Sequence, residues 1–401
     1  MFYLPTYEEA LEITQKCEAF YVTYTKVDDF EVAMFDYRLA SYNDFKIHNG
    51  FELRGLTFIN NNGVWTRHLG LHKFFNVNQV EDWQESILKN YEISSVRNKE
   101  DGSMIMTPVF PNDKIIAKTK MSFISSQAIA AQKIIDENVN YQTLIKHLNN
   151  NLNIEPIFEY VSPHNQIVLQ YENSQLVLLQ ARYKDSGEYV DIYTLNSFSS
   201  MFKVPMAAHL HRDKNLEELL VMKEVLTDIE GFVVTFNNGI MAKVKTTWYM
   251  QRHGLLSEDN IKENVLIRTI LGLSNEDGTK NAEIDDILGA LSLESEKRIF
   301  IVNTMEKINN YFNHNSNVIR NYIMNVYVTN NEFKTNKKSF YEKIQNDIKS
   351  EVFDDEIGKL ILFLVKVSID ELETEIENSL KKHIAKKTFR LNQAKEFLLK
   401  I

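Results

Sequence analysis

The sequence has 401 residues but only one cysteine, six prolines and thirteen glycines. Because Cys17 stands alone, an internal disulfide is excluded and a cysteine-based metal site is not expected, which fits a reducing compartment. The densest apolar run, residues 360–365, is far shorter than the roughly 20 residues that cross a bilayer. The N-terminus also lacks the basic start and apolar run of a signal peptide. We therefore expect a cytoplasmic protein without a membrane partner.

Positive charge is in deficit, with 45 lysines and arginines against 55 aspartates and glutamates and a formal net charge of −10. Taken over the whole chain, this acidity argues against a polyanionic partner. Hydrophobic residues make up 44% and charged residues 25% of the sequence, which is typical of a folded globular protein and argues against disorder. The length predicts two or three domains.

Turn and capping patterns predict the elements of the first 250 residues. Thr6 and Glu9 form a capping box that predicts a short first helix. Asn62-Gly63 and Asn238-Gly239 each separate two strand-like segments, and both residues of a tight hairpin turn need the positive φ that these residues adopt readily. The remaining predicted elements are strands over 153–161 and 176–182 and a helix over 125–138.

Beyond about residue 250 the spacing of apolar residues becomes helical and strand-like alternation ends. We therefore predict an α+β fold, with a domain of antiparallel sheets and helices over residues 1–250 and an all-helical domain over residues 251–401.

Lys99 precedes a tight Asp-Gly turn in the segment Lys99-Glu100-Asp101-Gly102-Ser103. A lysine amine in such a place can act as a nucleophile if burial or neighbouring cations favour its neutral form. An exposed loop charge explains the pattern equally simply, because K-x-D-G arises by chance in about one chain in ten at ordinary residue frequencies. Taken alone, the motif leaves both interpretations open.

Further charged residues lie on predicted strands. Lys243 and Lys245 are two apart, so their side chains share one face of a strand, which suits either a polyphosphate site or a protected edge strand. Glu230 stands at the mouth of the preceding strand, and Glu159 interrupts an otherwise apolar one. Each carboxylate faces either solvent or a site.

Six motifs occur in a fixed order along the chain, and each alone is more often structural than functional. They are Arg54-Gly55, Lys73-Phe74-Phe75-Asn76, Lys99-Glu100-Asp101-Gly102-Ser103, Phe158-Glu159-Tyr160-Val161, Glu230-Gly231-Phe232-Val233 and Lys243-Val244-Lys245. In this order the chain resembles the ATP-dependent RNA ligases of the lysyl-AMP nucleotidyltransferase superfamily, in particular the RNA ligase 1 family of T-even-type bacteriophages. The resemblance runs from about residue 40 to residue 249.

The resemblance implies a role for each matching residue. Lys99 is the implied nucleophile, which takes AMP from ATP, while Glu159 holds the ribose and Glu230 positions a hydrated divalent ion, Mg²⁺ or Mn²⁺, with Glu159 as a second metal contact through water. The other implied nucleotide-binding residues are Arg54, Lys73, Phe75, Gly102, Lys120, Leu179, Val233, Lys243 and Lys245. Glycine at 102 would allow the backbone to approach the nucleotide closely. Phosphoryl transfer needs such positioning and charge stabilisation.

The resemblance also implies the fold and the partners. The first domain is expected to be an ATP-grasp-like nucleotidyltransferase. Its substrate is expected to be RNA with 5′-phosphate and 3′-hydroxyl ends, such as nicked tRNA, in concert with an end-healing polynucleotide kinase-phosphatase in the cytoplasm of a phage-infected cell. The chain departs from the family pattern at Met121, where glycine is usual, and at Gln166, where arginine is frequent.

Two alternatives remain open at this stage. DNA ligases and capping enzymes share the lysine chemistry, but they usually have an arginine just after the K-x-D-G motif and a small β-barrel after the last motif. Here no arginine occurs in residues 103–107 and the chain continues in helical patterns. The second alternative is a non-catalytic RNA-binding protein on a decayed ligase scaffold. The basic segment 381–400 is either a solvated helix face or an RNA-contacting surface.

Overall fold

The computed structural model describes residues 3–38, 40–165, 168–210, 213–252, 262–273, 284, 287–288, 296–329, 337–350, 353, 355–367 and 369–401. The chain divides into two compact units, Met1–Asp259 with Ala282–Ile299, and Asn260–Asn281 with Phe300–Ile401. The predicted boundary at residue 250 lies within the first unit, and residues 253–261 directly after it lie outside the described residues. That boundary stays a prediction.

The first unit mixes helices and strands, as predicted. Its strands are β1 (Phe20–Val27), β2 (Phe30–Tyr37), β3 (Leu56–Asn61), β4 (Val64–His68), β5 (Phe75–Asn76), β6 (Ile93–Asn98), β7 (Ser103–Met106), β8 (Ile154–Val161), β9 (Gln175–Tyr183), β10 (Gly231–Phe236) and β11 (Met241–Lys245). Its helices are α1 (Tyr7–Lys16), α2 (Tyr42–His48), α3 (Glu85–Leu88), α4 (Ser126–Glu137), α5 (Val139–Lys146), α6 (Ile192–Phe202), α7 (Leu216–Met222) and α8 (Thr247–Arg252).

The described elements after α8 are all helices, while the division into the two predicted domains stays a prediction. They are α9 (Glu263–Ile270), α10 (Glu296–Thr329), α11 (Lys337–Lys349), α12 (Asp355–Leu364), α13 (Ile369–Lys387) and α14 (Leu391–Lys400). None of the described helices combines the length and the apolar character that a membrane crossing requires.

The predicted first helix and first hairpin are confirmed. In α1, Thr6 accepts a hydrogen bond from the Glu9 amide while its own amide donates to the Glu9 carboxylate at 2.7 Å, which completes the capping box. Asn62 and Gly63, with φ of 54° and 89°, join β3 to β4 in the antiparallel sheet β1-β2-β3-β4. Here the local turn chemistry alone sets the strand register.

The second sheet, in the order β5-β11-β10-β6, corrects two predictions. The β11–β5 pair is parallel, so the sheets are not purely antiparallel. The sequence does not predict this pairing, because β5 and β11 are far apart in the chain and no tight turn connects them. The turn between β10 and β11 also differs, because Gly239 has φ of 84° whereas Asn238 is not among the positive-φ residues. Gly239 donates to the Phe236 carbonyl, and Phe236 donates to the Ile240 carbonyl. The hairpin therefore has a three-residue loop in which only glycine takes the left-handed conformation.

The third sheet, β7-β8-β9, carries its own core. Ala131 and Ile135 of helix α4 belong to this core together with Phe158 of β8, and α4 packs on β7 and β9. The predicted helix over 125–138 and the strands over 153–161 and 176–182 are confirmed, with Ser125 as the N-cap residue of α4. Because β6 ends at Asn98 and β7 begins at Ser103, the turn 99–102 crosses from the second sheet to the third.

Candidate active site

One face of the second sheet carries the basic residues. The ladder pairs Gly231 with Lys245, and the Lys99 amide donates to the Gly231 carbonyl, so Lys99, Gly231 and Lys245 form one row across three strands. The next row consists of Arg97, Val233 and Lys243. Residues directly opposite in an antiparallel sheet, and residues two apart on a strand, share a face. The opposite face, with Val96, Phe232 and Val234, is buried in the core between the first two sheets.

The first row converges on a single carboxylate. Lys99 Nζ and Lys245 Nζ each lie 2.8 Å from Oε1 of Glu230, which is 2% exposed. Burial by itself would raise the pKa of Glu230, but the charges of Lys99 and Lys245 outweigh it and lower the pKa below its ordinary value. Two ammonium groups around one carboxylate leave a local excess of positive charge, and Lys99 is 22% exposed and accessible to a ligand.

Asp101 anchors the turn that carries Lys99. Its Oδ2 accepts hydrogen bonds from the backbone amides of Val168 and Leu169 at 2.8 and 2.7 Å, and its Oδ1 accepts from the hydroxyl of Tyr249 at 2.9 Å. The Tyr171 hydroxyl accepts from the Asp101 amide at 2.9 Å and donates to Glu100 at 3.0 Å. The turn is thus held from a loop and from helix α8 at once.

Gly102 is required by packing within the protein. A Cβ at this position would lie 2.3 Å from the Tyr160 carbonyl oxygen and 3.0 Å from Cγ of Glu159. The turn therefore presses directly on β8, next to a predicted site residue. Close approach of this backbone to a nucleotide stays a prediction.

The carboxylates fit a hydrated metal ion. Burial, reinforced by Glu230 and opposed by Lys99 and Arg54, raises the pKa of Glu159 to about 8. Oε2 of Glu230 is buried and makes no hydrogen bond to any described residue, so one carboxylate oxygen is still available. Within the described part of the chain, no group of three or more histidine, cysteine, aspartate or glutamate side chains forms a metal cage. Before an ion binds, Glu159 is therefore mostly protonated at neutral pH and Glu230 is the ionised carboxylate. Such a sparse ligand set suits an ion such as Mg²⁺, which keeps most of its water and also binds phosphates.

Lys73 and Lys120 meet at the ring of Tyr37. Lys73 Nζ lies 5.3 Å and Lys120 Nζ 5.4 Å from the centre of that ring. Lys120 is also 3.2 Å from Asp36, whose carboxylate raises the pKa of Lys120. Phe75 is buried on β5 with its ring centre 4.8 Å from Lys73 Nζ. Phe75 therefore supports Lys73 from the core.

Lys118 is fully buried, although the sequence pointed to Lys120. Its ammonium donates to the carbonyl of Lys120 at 2.7 Å and to that of Gly55 at 3.3 Å. Burial lowers the pKa of Lys118 to about 7. Lys118 thus joins the backbone beside Arg54 to the backbone of Lys120, and it positions two predicted phosphate contacts.

Three further predicted residues have defined places. Arg54 Nη1 lies 3.5 Å from the Leu71 carbonyl and 3.5 Å from the Met104 sulfur. Leu179 is the extra residue of a β-bulge in β9, and both Leu179 and Val233 pack at the border of the same core cluster. Whether an adenine ring lies between Leu179 and Val233 stays a prediction. Met121 packs onto the cluster around Phe110, and Gln166 lies outside the described residues.

Sequence reasoning missed the residues that hold the site together. Asp101 and Tyr249 are joined across 148 positions of sequence, and Lys118 acts through backbone carbonyls that carry no sequence signal. A signal did exist for Asp101, because it belongs to the K-x-D-G motif.

A family model described as RNA ligase matches residues 52–249, just under half of the chain. Residues 52–249 are thus similar to the RNA ligase family. The resemblance inferred from the six motifs is confirmed at this level, and the matched segment contains every predicted site residue.

The individual relatives of the chain are distant. A curated Thermovibrio ammonificans protein, whose RNA ligase name is itself provisional, is 29% identical over 224 residues, 54% of this chain and 57% of its own length. The chain thus spans a little over half of that relative. An archaeal ATP-dependent RNA ligase structure aligns with TM-score 0.49 and 10% identity, covering 75% of this chain and 76% of its own. A structure from Aquifex aeolicus, provisionally named an ATP-dependent DNA ligase, aligns with TM-score 0.44 and 13% identity, covering 78% and 80%. At such scores the structural likeness does not distinguish RNA from DNA.

Proposed function

We propose that the chain is an ATP-dependent RNA ligase that joins 5′-phosphate and 3′-hydroxyl RNA ends through a covalent AMP on Lys99. The observation that carries the proposal is the convergence of Lys99 and Lys245 on the buried carboxylate of Glu230. This arrangement places an amine at the edge of a cationic sheet face, within the segment that the RNA ligase family model matches. Charge stabilisation and positioning are what transfer of a nucleotidyl group requires.

The reaction consists of three transfers. In the first, Lys99 Nζ loses a proton and attacks the α-phosphorus of ATP, a P–N bond forms, and the bond to the β-phosphate breaks to release pyrophosphate. In the second, an oxygen of the RNA 5′-phosphate attacks that phosphorus and Lys99 leaves. In the third, the RNA 3′-hydroxyl attacks the 5′-phosphorus, AMP departs, and a phosphodiester remains.

The placement of the other residues supports their proposed roles. Lys243 and Lys245 share the face of Lys99 and would neutralise the phosphates, while Lys73 and Lys120, together beside Tyr37, and Arg54 would serve the leaving pyrophosphate. Glu159 would hold the ribose hydroxyls. Glu230, with Glu159, would bind a hydrated Mg²⁺ or Mn²⁺, which supplies charge neutralisation at the phosphates. Glu230 also orients Lys99.

Covalent labelling tests the proposal. Incubation of the full chain with α-labelled ATP and Mg²⁺ is expected to label the protein, and Lys99→Ala is expected to remove the label completely. Lys114→Ala is a matched control, because Lys114 is an exposed lysine of the same unit, 3.0 Å from Asp28. An unlabelled wild type would contradict the ligase function and favour a decayed scaffold. A label that survives Lys99→Ala would contradict the proposed transfer through Lys99.

The substrate requires a separate measurement. We propose RNA, and more specifically tRNA cleaved to 5′-phosphate and 3′-hydroxyl ends after end healing by a kinase-phosphatase. Sealing of nicked tRNA, linear RNA and nicked DNA by the same preparation distinguishes the possibilities. Faster sealing of nicked DNA than of either RNA would overturn the RNA assignment. Equal sealing of both RNAs would leave an RNA ligase without tRNA preference.

A further inference from the structure

Arg97 is a buried arginine whose donors are not satisfied. It lies on β6 and is 4% exposed, and its Nε and Nη1 are buried without a hydrogen-bond partner among the described residues. Burial lowers the pKa of Arg97 to about 10, so the guanidinium is still charged at neutral pH. Leaving a buried charged donor unpaired costs more than leaving a neutral one.

A second buried arginine shows how a structural one is satisfied in this fold. Arg182 donates to both carboxylate oxygens of Glu52 at 2.8 and 2.7 Å and to the carbonyls of Gly70 and Gly187. It is 2% exposed, as deeply buried as Arg97. The difference between the two is therefore the missing partners of Arg97, not its burial.

The position of Arg97 in the sheet indicates which kind of hydrogen-bond acceptor could pair with it. Arg97 pairs with Val233, which pairs with Lys243, and this row lies two residues along the strands from the row of Lys99 and Lys245. That step is about 7 Å along a strand, which is close to the separation between the α-phosphate and the base of a nucleotide. Val233 supplies a partly exposed apolar surface beside Arg97, and such a surface suits a flat ring that carries acceptor atoms.

We infer that Arg97 contacts the base of the nucleotide that Lys99 receives, by donating hydrogen bonds to acceptor atoms of the purine. The inference rests on the proposed adenylation of Lys99 and adds a base-reading residue to it. A guanidinium has donors only, so it can pair with the ring nitrogens of adenine but not with its exocyclic amino group. Arg97 therefore holds the base through a ring nitrogen and takes no part in the chemistry at the phosphorus.

The test uses ATP and its 1-deaza, 3-deaza and 7-deaza analogues, each of which lacks one ring acceptor. KM and kcat for lysyl-nucleotide formation are measured for the full-length wild type and for Arg97→Met. We expect one analogue to raise KM of the wild type about tenfold, the loss typical of one hydrogen bond to a charged group, with kcat within threefold. In Arg97→Met, KM for ATP should rise by a similar factor and the same analogue should cost nothing further.

Arg97→Lys, which retains a donor, should recover part of the discrimination between ATP and the sensitive analogue. Arg67→Met is the matched control: it removes a guanidinium that donates to the carbonyls of Pro5 and Lys184, and the wild-type analogue profile should persist. A merely structural arginine would change stability without changing this profile. The nucleotide-free Arg97→Met protein should melt no lower than wild type, whereas Arg182→Met should melt several degrees lower.

Three results would overturn the inference. The first is an identical analogue profile in wild type and Arg97→Met. The second is a wild type indifferent to all three analogues, a result that stands even if the variants fail to fold. The third is unchanged nucleotide transfer with impaired RNA sealing, which would assign Arg97 to RNA. A wild type that accepts no nucleotide on Lys99 would instead refute the proposed function itself.

Discussion

The lysines around Glu230 and the lysines of the basic segment 381–400 are arranged in opposite ways. In the first unit Lys99 and Lys245 share the one carboxylate of Glu230. In the second unit lysines of the basic segment 381–400 have carboxylates of their own one helical turn away, with Lys381 2.7 Å from Glu377 and Lys400 2.7 Å from Glu396. Lys387 pairs with Glu356, and Lys395 lies 3.7 Å from Glu263.

The difference shows that lysine content alone does not make a phosphate site. A one-to-one pair is electrically neutral, so it attracts polyanions weakly, whereas two ammonium groups around one carboxylate retain a net positive charge. The net charge of −10 therefore describes the chain as a whole and not the sheet face around Lys99. For the basic segment, the four paired lysines fit a solvated helix face, and contact of the segment with RNA stays a prediction.

Removing the shared carboxylate should have the largest effect. In Glu230→Gln, Lys99 and Lys245 lose their common partner and repel each other, so lysyl-AMP formation should fall at least about a hundredfold, as when a positioned charge is lost from an active site. The measurement is the single-turnover rate of covalent labelling. Glu396→Gln, which removes a one-to-one partner on α14, should keep the wild-type rate. Equal labelling rates for Glu230→Gln and Glu396→Gln would show that the carboxylate shared by two lysines is no more important than the partner of a single lysine.

The buried Lys118 should have an effect of intermediate size, which is a dependence of the free energy of unfolding on pH. Its pKa is about 7 in the folded protein and 10.5 when unfolded, so between these values the unfolded state binds more protons and the free energy of unfolding rises with pH. The contribution should reach about 2 kcal/mol between pH 7 and pH 9, since one pKa unit corresponds to 1.36 kcal/mol. Below pH 7 both states hold the proton and this contribution becomes constant.

Urea unfolding of wild type and Lys118→Met at pH 7 and pH 9 measures this contribution. The variant should lack the rise, while Lys381→Met, which removes an ion-paired lysine of the second unit, should retain it. Parallel pH profiles for wild type and Lys118→Met would show that the buried ammonium is not the source.

The smallest effects are expected in the basic segment. Lys381→Met and Lys387→Met together should change the free energy of unfolding by less than about 1 kcal/mol, because partly exposed ion pairs contribute little each. Sealing of tRNA should change less than threefold. A tenfold loss of sealing with a shallower salt dependence would identify the segment as an RNA-contacting surface after all.

Local patterns were sufficient for much of the first unit. The α1 capping box, the Asn62-Gly63 hairpin and helix α4 were predicted correctly, because each depends on residues within a few positions of one another. The parallel pairing of β5 with β11 was not, since its partners lie more than 160 residues apart. The turn at Asn238 was assigned the wrong type, because an Asn-Gly pair does not by itself determine how many residues the hairpin loop contains.

The candidate site likewise has some features that the sequence predicts and others that only the tertiary structure decides. The resemblance carried by the order of the six motifs pointed to Lys99, Glu230 and Lys245. Only the tertiary structure decided that Lys99 and Lys245 share Glu230, that Asp101 receives Tyr249, and that Lys118 rather than Lys120 is buried. The single cysteine was enough to exclude an internal disulfide from composition alone. The meeting of Lys99 and Lys245 at Glu230 could not be predicted in this way, because the distances between side chains remote in sequence depend on how the three sheets pack.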